Sequence, residues 1–153
     1  MERTLILIKP DAIARGLAGT VLGRFEAKGL KIAGMKMIQL DEALLKEHYS
    51  HLADKPFFPT ICEFMSRTPV LALCLEGLEA VQVCRNLCGV TNSRNAAPGT
   101  IRGDLGMSMQ ANLVHASDSV ETAAAEVARF FSEDELFAYE QPLIKYLYAS
   151  DER

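Results

Sequence analysis

The chain has 153 residues, of which 49% are hydrophobic and 24% charged, and its formal net charge is −4. This length and composition are typical of a single globular domain, 1–153, and exclude an intrinsically disordered chain. The mildly acidic balance argues against a protein that binds nucleic acid or an anionic membrane, but a small anionic ligand needs only a few basic groups in one pocket.

The N-terminal and cysteine patterns predict a cytoplasmic protein. The apolar run at residues 5–8 is too short for a signal peptide, and no segment reaches the roughly 20 apolar residues of a membrane-spanning helix. None of the four cysteines forms a C-x-x-C pair, so reduced thiols in a reducing compartment are expected.

Aliphatic and β-branched runs predict three strands in the first half of the chain. These strands are expected at Thr4–Lys9, Lys31–Leu40 and Pro69–Gly77. Apolar residues at helical spacing predict four helices around them. The helices are expected at 17–28 before Gly29, from Asp41 to His48, between Pro56 and Met65, and from Leu78 to Leu87.

The second half opens with a segment, residues 89–106, that is rich in glycine and asparagine and poor in large apolar residues. Such a composition predicts a long functional loop. A short fourth strand is expected at Leu113–Val114, and a capping box of Asp118 and Glu121 predicts a helix that continues to Phe131. The tail from Ser132 is expected to form a helical turn and then an apolar segment that packs on a neighbouring surface.

The alternation of strands and helices leaves two architectures open. It is compatible with a doubly wound parallel sheet and with a split β-α-β sandwich whose sheet is antiparallel.

Several common phosphate-binding motifs are absent. The segment Gly29–Lys36 resembles a P-loop, but Met35 stands at the lysine position and Lys36 at the hydroxyl position, so that motif is rejected. No Gly-x-Gly-x-x-Gly sequence and no protein-kinase signature occurs.

Three histidines are candidates for chemistry. His48 and His51 lie on a charged helix and are interpreted as solvated polar groups, although metal ligation is the alternative. His115 ends a short apolar strand among polar residues, where a structural histidine and a nucleophile are about equally compatible with its position. A neutral imidazole is a competent nucleophile if a partner sets its tautomer, and Glu121 and Glu126 are candidate partners.

Three basic residues could meet a phosphate. Lys9 ends a buried strand, and Arg102 lies between glycines that allow a ligand to approach the backbone. Arg85 is the third. Singly, each is most simply explained by a surface salt bridge, but three cations converging on a nucleophile would form a phosphoryl-transfer site.

These features together resemble the nucleoside diphosphate kinase family over essentially the whole chain. The matching segments are Glu2–Leu5 with Lys9–Asp11, Arg24–Glu26, His48–Tyr49 with Lys55–Phe58, Thr91–Asn92, Pro98–Asp104 and Asn112–Ser119. The last segment is similar to the family's active-site signature and is the most specific of them.

The resemblance implies an α+β fold, a ferredoxin-like sandwich with a four-stranded antiparallel sheet covered by helices on one face and partly by partner subunits. It also implies a homo-oligomer, and the long tail favours a hexamer over a tetramer. The implied activity is ping-pong transfer of the γ-phosphate of a nucleoside triphosphate, mainly ATP, to nucleoside diphosphates, which maintains the NTP and dNTP pools.

The resemblance also implies roles for individual residues. His115 matches the histidine that is phosphorylated on Nδ1, and Glu126 with Ser117 matches the pair that orients it. Tyr49 matches the tyrosine beside the nucleophile. The residues that match the phosphate-holding groups are Lys9, Arg85, Thr91 and Arg102.

The nucleoside and metal contacts follow from the same resemblance. Lys9 and Asn112 match contacts to the ribose hydroxyls, and Phe57 matches the ring that stacks on the base. The cofactor is expected to be Mg²⁺ carried by the nucleotide phosphates, with Asp118 near it.

The chain differs from the family pattern at three positions. Ala116 stands where glycine is common, Ser93 where proline is common, and Met109 where a smaller aliphatic residue often packs on the base. Methionine is adaptable enough to fill that role.

Two other functions use the same residues. A histidine phosphocarrier or protein histidine kinase would also phosphorylate His115, and turnover of GDP to GTP separates it from a nucleotide kinase. A catalytically silent scaffold with this fold is disfavoured because it would not need the nucleophile, its carboxylate partner and the cations together.

Overall fold

The computed structural model describes residues 1–152 and contains one four-stranded sheet with strand order β2-β3-β1-β4. All three strand pairs are antiparallel, which excludes the parallel alternative. The strands are β1 (Glu2–Ile8), β2 (Lys31–Ile38), β3 (Val70–Gly77) and β4 (Val114–Ala116). Each predicted strand is therefore present within a few residues of its expected bounds.

Eight α-helices surround the sheet within residues 1–152. They are α1 (Pro10–Ala14), α2 (Ala18–Lys28), α3 (Glu42–His48), α4 (Phe58–Met65), α5 (Ala80–Cys88), α6 (Ile101–Leu105), α7 (Val120–Phe130) and α8 (Ile144–Leu147). No helix in this part of the chain is both long and apolar enough to cross a bilayer.

Local sequence signals explain several helix ends. The Asp41 side chain caps α3 by accepting a hydrogen bond from the backbone N–H of Leu44 at 2.8 Å. Gly29 ends α2 with φ of 99°, a left-handed conformation that glycine adopts without a steric penalty. The predicted capping box of Asp118 and Glu121 is wrong, because the side chain of Ser119 caps α7 instead.

The core lies on both faces of the sheet, because successive side chains of β1 point to opposite sides. Leu5 and Leu7 pack in a cluster with residues of α3, α4 and α7, whereas Ile6 and Ile8 pack in a second cluster with residues of α1, α2 and α5. The expectation of helices on one face only is therefore wrong. Burial on both sides explains why β1 is a continuous apolar run and not an alternating one.

The predicted long loop at residues 89–106 contains more structure than its composition indicates. A 3₁₀ turn lies at Ser93–Asn95, and α6 follows, capped by the Thr100 side chain. The tail contains the expected turn at Glu133–Glu135 and then α8. The short α6 matters for the site because it carries Arg102.

Candidate active site

His115 lies at the centre of the short strand β4, opposite Leu7 of the buried strand β1. Its Nε2 atom is 3.0 and 3.1 Å from the two carboxylate oxygens of Glu126, which projects from α7. Ser117 donates a hydrogen bond to the same carboxylate at 2.7 Å. The Ser117 hydroxyl in turn accepts a hydrogen bond from the backbone N–H of Leu5 at 3.2 Å. Hydrogen bonds through Glu126 and Ser117 therefore connect the imidazole to the central strand β1.

This carboxylate determines the tautomer of His115. A carboxylate accepts hydrogen bonds, so the imidazole presents N–H at Nε2 and keeps its lone pair on Nδ1. The arrangement leaves Nδ1 as the nitrogen with a free lone pair, and this is the atom that the family resemblance implies is phosphorylated.

Glu126 is almost fully buried, with 5% of its surface exposed. Burial by itself would raise the pKa of this carboxyl, but hydrogen bonds from His115 and Ser117 and the charge of His115 outweigh it and hold the pKa below its ordinary value. Glu126 is therefore ionised at neutral pH and can stabilise positive charge that develops on the imidazole.

A cleft opens beside His115 and has a volume of about 430 Å³. Its walls bring together most of the residues that the sequence singled out. The polar and charged residues that line it are Lys9, Tyr49, Arg85, Thr91, Arg102, Gln110, Asn112 and His115.

Lys9 lies in this cleft with its ammonium group already partly bound by protein. Nζ donates to the carbonyl oxygen of Gln110 and to Oδ1 of Asn112, each at 2.8 Å. An ammonium group has three donors, so one remains for a ligand. Burial, reinforced by the charge of Arg102 and opposed by Asp11, lowers the pKa of Lys9 to about 8.

Arg102 is fixed by three backbone carbonyl groups. Its Nε, Nη1 and Nη2 atoms donate to the carbonyl oxygens of Asn112, Gly89 and Val114 at 3.2, 2.8 and 2.7 Å. A guanidinium has five N–H donors, so two remain for phosphate oxygens. Burial lowers the pKa of Arg102 below its usual value, yet the group stays protonated at neutral pH.

Asn112 organises the floor of the cleft. Its Nδ2 atom donates to the carbonyl oxygens of Thr91 and Met109 at 3.0 and 2.9 Å, while Oδ1 accepts from Lys9. The side chain is thereby held between the loop that carries Thr91 and the ammonium group. Tyr49, at the end of α3, lies with its ring 6.5 Å from that of His115.

Four predicted site residues do not line the cleft. Ser117 and Glu126 are two of them, and they form the hydrogen-bonded pair described above. Phe57 is half-exposed at the start of α4, and Asp118 lines a second cavity that also includes Glu126. The cleft has no aspartate or glutamate among its lining residues in the described part of the chain.

The interpretation of His48 as a solvated residue is wrong. His48 is 6% exposed, and its ring packs against that of His115 with centroids 4.6 Å apart. Burial, with a smaller contribution from the charge of His115, lowers the pKa of His48 to about 3, so the ring is neutral. The three-residue spacing from the buried Leu45 is the signal that could have identified the inward face of α3.

Asp11 is a second residue that sequence reasoning missed. Its Oδ2 atom accepts the backbone N–H of Leu113 at 3.0 Å. Leu113 has a φ of 75°, an unfavourable conformation for a branched side chain that must be held by its surroundings. Asp11 therefore stabilises the strained turn that leads into β4 and its histidine.

Comparison with known proteins agrees with this geometry. A sequence model of the family described as "Nucleoside diphosphate kinase" matches residues 2–136. The chain is 56% identical to a nucleoside diphosphate kinase of Parabacteroides distasonis over 152 residues, 99% of each chain, and 50% identical to one of Pyrococcus horikoshii over 141 residues, 90% of each.

Solved structures are also closely similar to this chain in fold and sequence. A nucleoside diphosphate kinase family protein from Babesia bovis superposes with a TM-score of 0.93 at 44% identity, covering 97% of this chain and 100% of that one. A nucleoside diphosphate kinase from Halobacterium salinarum in complex with CDP gives a TM-score of 0.93 at 42% identity, covering 96% and 98%. Sequence, fold and these relatives together show that the chain belongs to the nucleoside diphosphate kinase family of phosphotransferases, which confirms the family and the activity that the sequence predicted.

Proposed function

We propose that His115 is the phosphoryl carrier of this nucleoside diphosphate kinase and that Nδ1 is the atom that forms the bond to phosphorus. The observation that carries this proposal is the hydrogen bond between Nε2 and Glu126, since it leaves the lone pair on Nδ1. The cleft beside the ring supplies Lys9, Arg85 and Arg102 for an anionic substrate.

The nucleotide enters with its phosphates towards these cations and its base towards the exposed end of the cleft. Phe57 stacks on one face of the base and Met109 lies near the other. Both side chains are more exposed than the cleft walls, which suits a base that remains near solvent. Stacking on a flat ring tolerates purines and pyrimidines alike, so broad base specificity is expected.

Lys9 and Asn112 bind the ribose hydroxyls, and Thr91 with the cations binds the phosphates. The one free donor of Lys9 and the two free donors of Arg102 support these roles, since both side chains are already aimed by protein hydrogen bonds.

Transfer then proceeds in two displacements. The Nδ1 lone pair attacks the γ-phosphorus, the N–P bond forms, and the bond to the bridging oxygen breaks, with its electron pair leaving on the diphosphate. Glu126 stabilises the positive charge on the imidazole, while Lys9 and the arginines stabilise the negative charge on the moving group. Tyr49 lies beside the nucleophile and limits the orientations of the transferred group.

The diphosphate product is replaced by a second nucleoside diphosphate. A terminal oxygen of that acceptor attacks the phosphorus, the N–P bond breaks, and its electron pair returns to Nδ1. Ser117 and Glu126 hold the same tautomer throughout, so the imidazole is ready for the next cycle.

The residues present fit Mg²⁺ that is carried by the nucleotide phosphates. The cleft lining offers cations and no carboxylate in the described residues, and Mg²⁺ commonly keeps its waters and takes few protein ligands. When bound, the ion neutralises part of the phosphate charge. Asp118 lies on the other side of His115 and is proposed only as a nearby acid that could accept hydrogen bonds from the ion's waters.

We also infer that the chain forms a hexamer in a reducing cytoplasm. The edge strand β2 exposes Met35 and Met37, and the tail exposes Leu143 and Tyr146, which supports burial against other copies. All four cysteines are unpaired, which suits a reducing compartment. Sedimentation velocity distinguishes a hexamer from a tetramer.

Radiolabelled ATP tests the covalent intermediate. The wild-type chain should acquire a phosphate that is labile in acid and stable in alkali, and it should pass that phosphate to GDP. His115→Ala should acquire none, whereas His51→Ala, which changes an exposed histidine, should label normally. Labelling of His115→Ala, or a label that alkali removes, would overturn the proposal.

A further inference from the structure

A second cavity, here called the rear cavity, lies on the Glu126 side of His115 and has a volume of about 430 Å³. It shares only Tyr49, His115 and Ala116 with the nucleotide cleft. The other titratable residues that line it are His48, His51, Asp118, Glu126 and Arg129. Phosphoryl transfer as proposed above uses Glu126 from this set, with Asp118 only as a nearby acid, and gives no role to His48, His51 or Arg129.

Three of these side chains bring potential metal-binding atoms close together. One ligand atom from each of His48, His115 and Glu126 lies within 4.8 Å of the others. His115 Nε2 is 3.0 Å from one Glu126 oxygen, and His48 Nδ1 is 3.8 Å from the other. Bonds of about 2.0–2.2 Å around a tetrahedral zinc ion separate its ligands by roughly 3.5 Å, and the observed spacings lie on either side of that value.

We propose that the rear cavity binds a divalent transition-metal cation of the zinc type through His48, Glu126 and His115, and that this binding inhibits phosphoryl transfer. Two imidazoles and one carboxylate form a donor set suited to zinc, and the open cavity leaves room for water as a fourth ligand. Mg²⁺ is a poor match because it prefers oxygen ligands in an octahedron.

The tautomer of His48 favours this site. Arg129 places Nη1 3.3 Å from His48 Nδ1, and a guanidinium can only donate, so Nδ1 carries a lone pair. Nδ1 is therefore ready for a metal without proton rearrangement. The opposite nitrogen, Nε2, is buried and has no hydrogen-bond partner within residues 1–152.

Arg129 is the group that a cation must displace. Its Nε atom also pairs with Glu47 at 3.0 Å, so its charge is partly neutralised, and the guanidinium can remain on that carboxylate when it leaves His48. Glu126 and Asp118 add negative charge to the same cavity. The metal and Arg129 thus compete for one lone pair, and removal of Arg129 should tighten metal binding.

Inhibition follows from the ligands that the metal occupies. Zinc bound at Nε2 would displace the proton there, which solvent would return to Nδ1, so the lone pair that attacks phosphorus would be lost. The same zinc ion would also take up the Glu126 charge that stabilises the phosphorylated imidazole. The nucleotide cleft stays open, so the metal lowers the rate of transfer and does not block nucleotide binding. This inference rests on Glu126 as the partner of His115, but the metal-binding measurement itself needs no nucleotide.

Isothermal titration of the intact oligomer with zinc chloride tests the site directly. The wild type should bind one zinc ion per chain at this site. His48→Phe, which keeps a packed ring and removes the ligand nitrogen, should weaken that affinity by about tenfold or more. Arg129→Gln should strengthen it, and His51→Gln, which alters an exposed residue of the same cavity, should change it little. Cys62→Ser should leave it unchanged.

His48→Phe should weaken the zinc affinity and Arg129→Gln should strengthen it, and these opposite effects distinguish the proposed site from adventitious surface binding. If His48→Phe does not fold, His48→Gln removes the imidazole while retaining a polar group opposite Arg129. Unchanged zinc affinity in the folded His48 variant would overturn the proposal, and so would weaker binding in Arg129→Gln.

Steady-state kinetics with saturating Mg²⁺ provide the second measurement. Zinc should lower kcat with little change in KM for the Mg²⁺-nucleotide complex, and a chelator should restore activity. A rise in KM at constant kcat would place the inhibitory ion in the nucleotide cleft and refute the rear site. If the phosphohistidine mechanism itself is wrong, radiolabelled ATP should label His115→Ala. That result would leave the zinc affinities of the wild type and of the His48 and Arg129 variants as predicted.

Discussion

Replacement of Glu126 by alanine should slow phosphoryl transfer strongly without abolishing it. The two distances of 3.0 and 3.1 Å from His115 Nε2 describe one forked hydrogen bond, because this nitrogen carries a single hydrogen. A hydrogen bond to a charged group contributes about 1.5–3 kcal/mol. If that amount is available mainly in the transition state, kcat should fall by roughly 10- to 150-fold.

Rapid-quench measurement of phosphohistidine formation is the suitable assay, because it isolates attack by His115 from product release. The rate of label incorporation should fall with kcat, whereas KM should change little, since Glu126 lies outside the nucleotide cleft. Glu126→Gln is the matched control. It retains an acceptor oxygen for Nε2 and loses only the charge, so its rate should lie between those of wild type and Glu126→Ala.

The wild-type and variant melting curves must be compared, because alanine leaves Ser117 without its carboxylate partner inside the protein. A folded Glu126→Ala that forms no phosphohistidine, like His115→Ala, would show that the carboxylate does more than orient and stabilise the ring. A large rise in KM with unchanged kcat would equally refute the assigned role.

Three further predictions concern charge, packing and the chain's departure from its family. Because the pKa of Lys9 is about 8, its positive charge is lost above that pH, and kcat/KM should decline in a pH-rate profile. The unfolding free energy should instead increase between pH 8 and the ordinary lysine pKa of 10.5, because in this range the unfolded chain binds more protons than the folded one. Denaturant titrations at several pH values check this second effect. Gly103→Ala should destabilise by about 1–3 kcal/mol, because its methyl group would overlap the backbone carbonyl of Ala97, and it should reduce activity because residue 103 directly follows Arg102. Gly19→Ala, in open space on α2, should stabilise by about 0.5–1 kcal/mol in the same thermal assay. Ser93→Pro should destabilise by about 0.5–1.5 kcal/mol, since it removes the hydrogen bond that the backbone N–H of Ser93 donates to the carbonyl oxygen of Ser108 at 3.3 Å; a higher melting temperature would contradict this.

The strands and most helices could be predicted because their determinants are local. Lys31–Ile38 and Val70–Gly77 are apolar runs bounded by turn residues, and Asp41 and Gly29 mark helix ends by their own backbone and side-chain chemistry. The antiparallel pairing of these strands was not accessible from spacing, since it depends on contacts between distant segments, and only the family resemblance predicted it.

The residue types of the site could be predicted from the sequence, but the hydrogen-bond partners within the site could not. The sequence identified the imidazole and the cations, yet the partner of His115 was open between Glu121 and Glu126 until the family was considered. Only α7 packed on the sheet shows why Glu126 is the partner, since it is buried whereas Glu121 is exposed. His48 was misinterpreted because its charged neighbours on α3 dominate the pattern, while the ring itself faces inward against His115.

The cations proposed to bind phosphate also hold neighbouring backbone segments together, and these two uses explain how a small domain can prepare the site before substrate arrives. Arg102 joins Gly89, Asn112 and Val114, and Lys9 joins Gln110 to Asn112. Their spare donors are therefore fixed in direction, so binding loses little side-chain entropy, and the donors need no reorganisation when charge shifts to the transferred group. The same hydrogen bonds position β4, the strand that carries His115, because the carbonyl of Val114 that Arg102 holds immediately precedes His115.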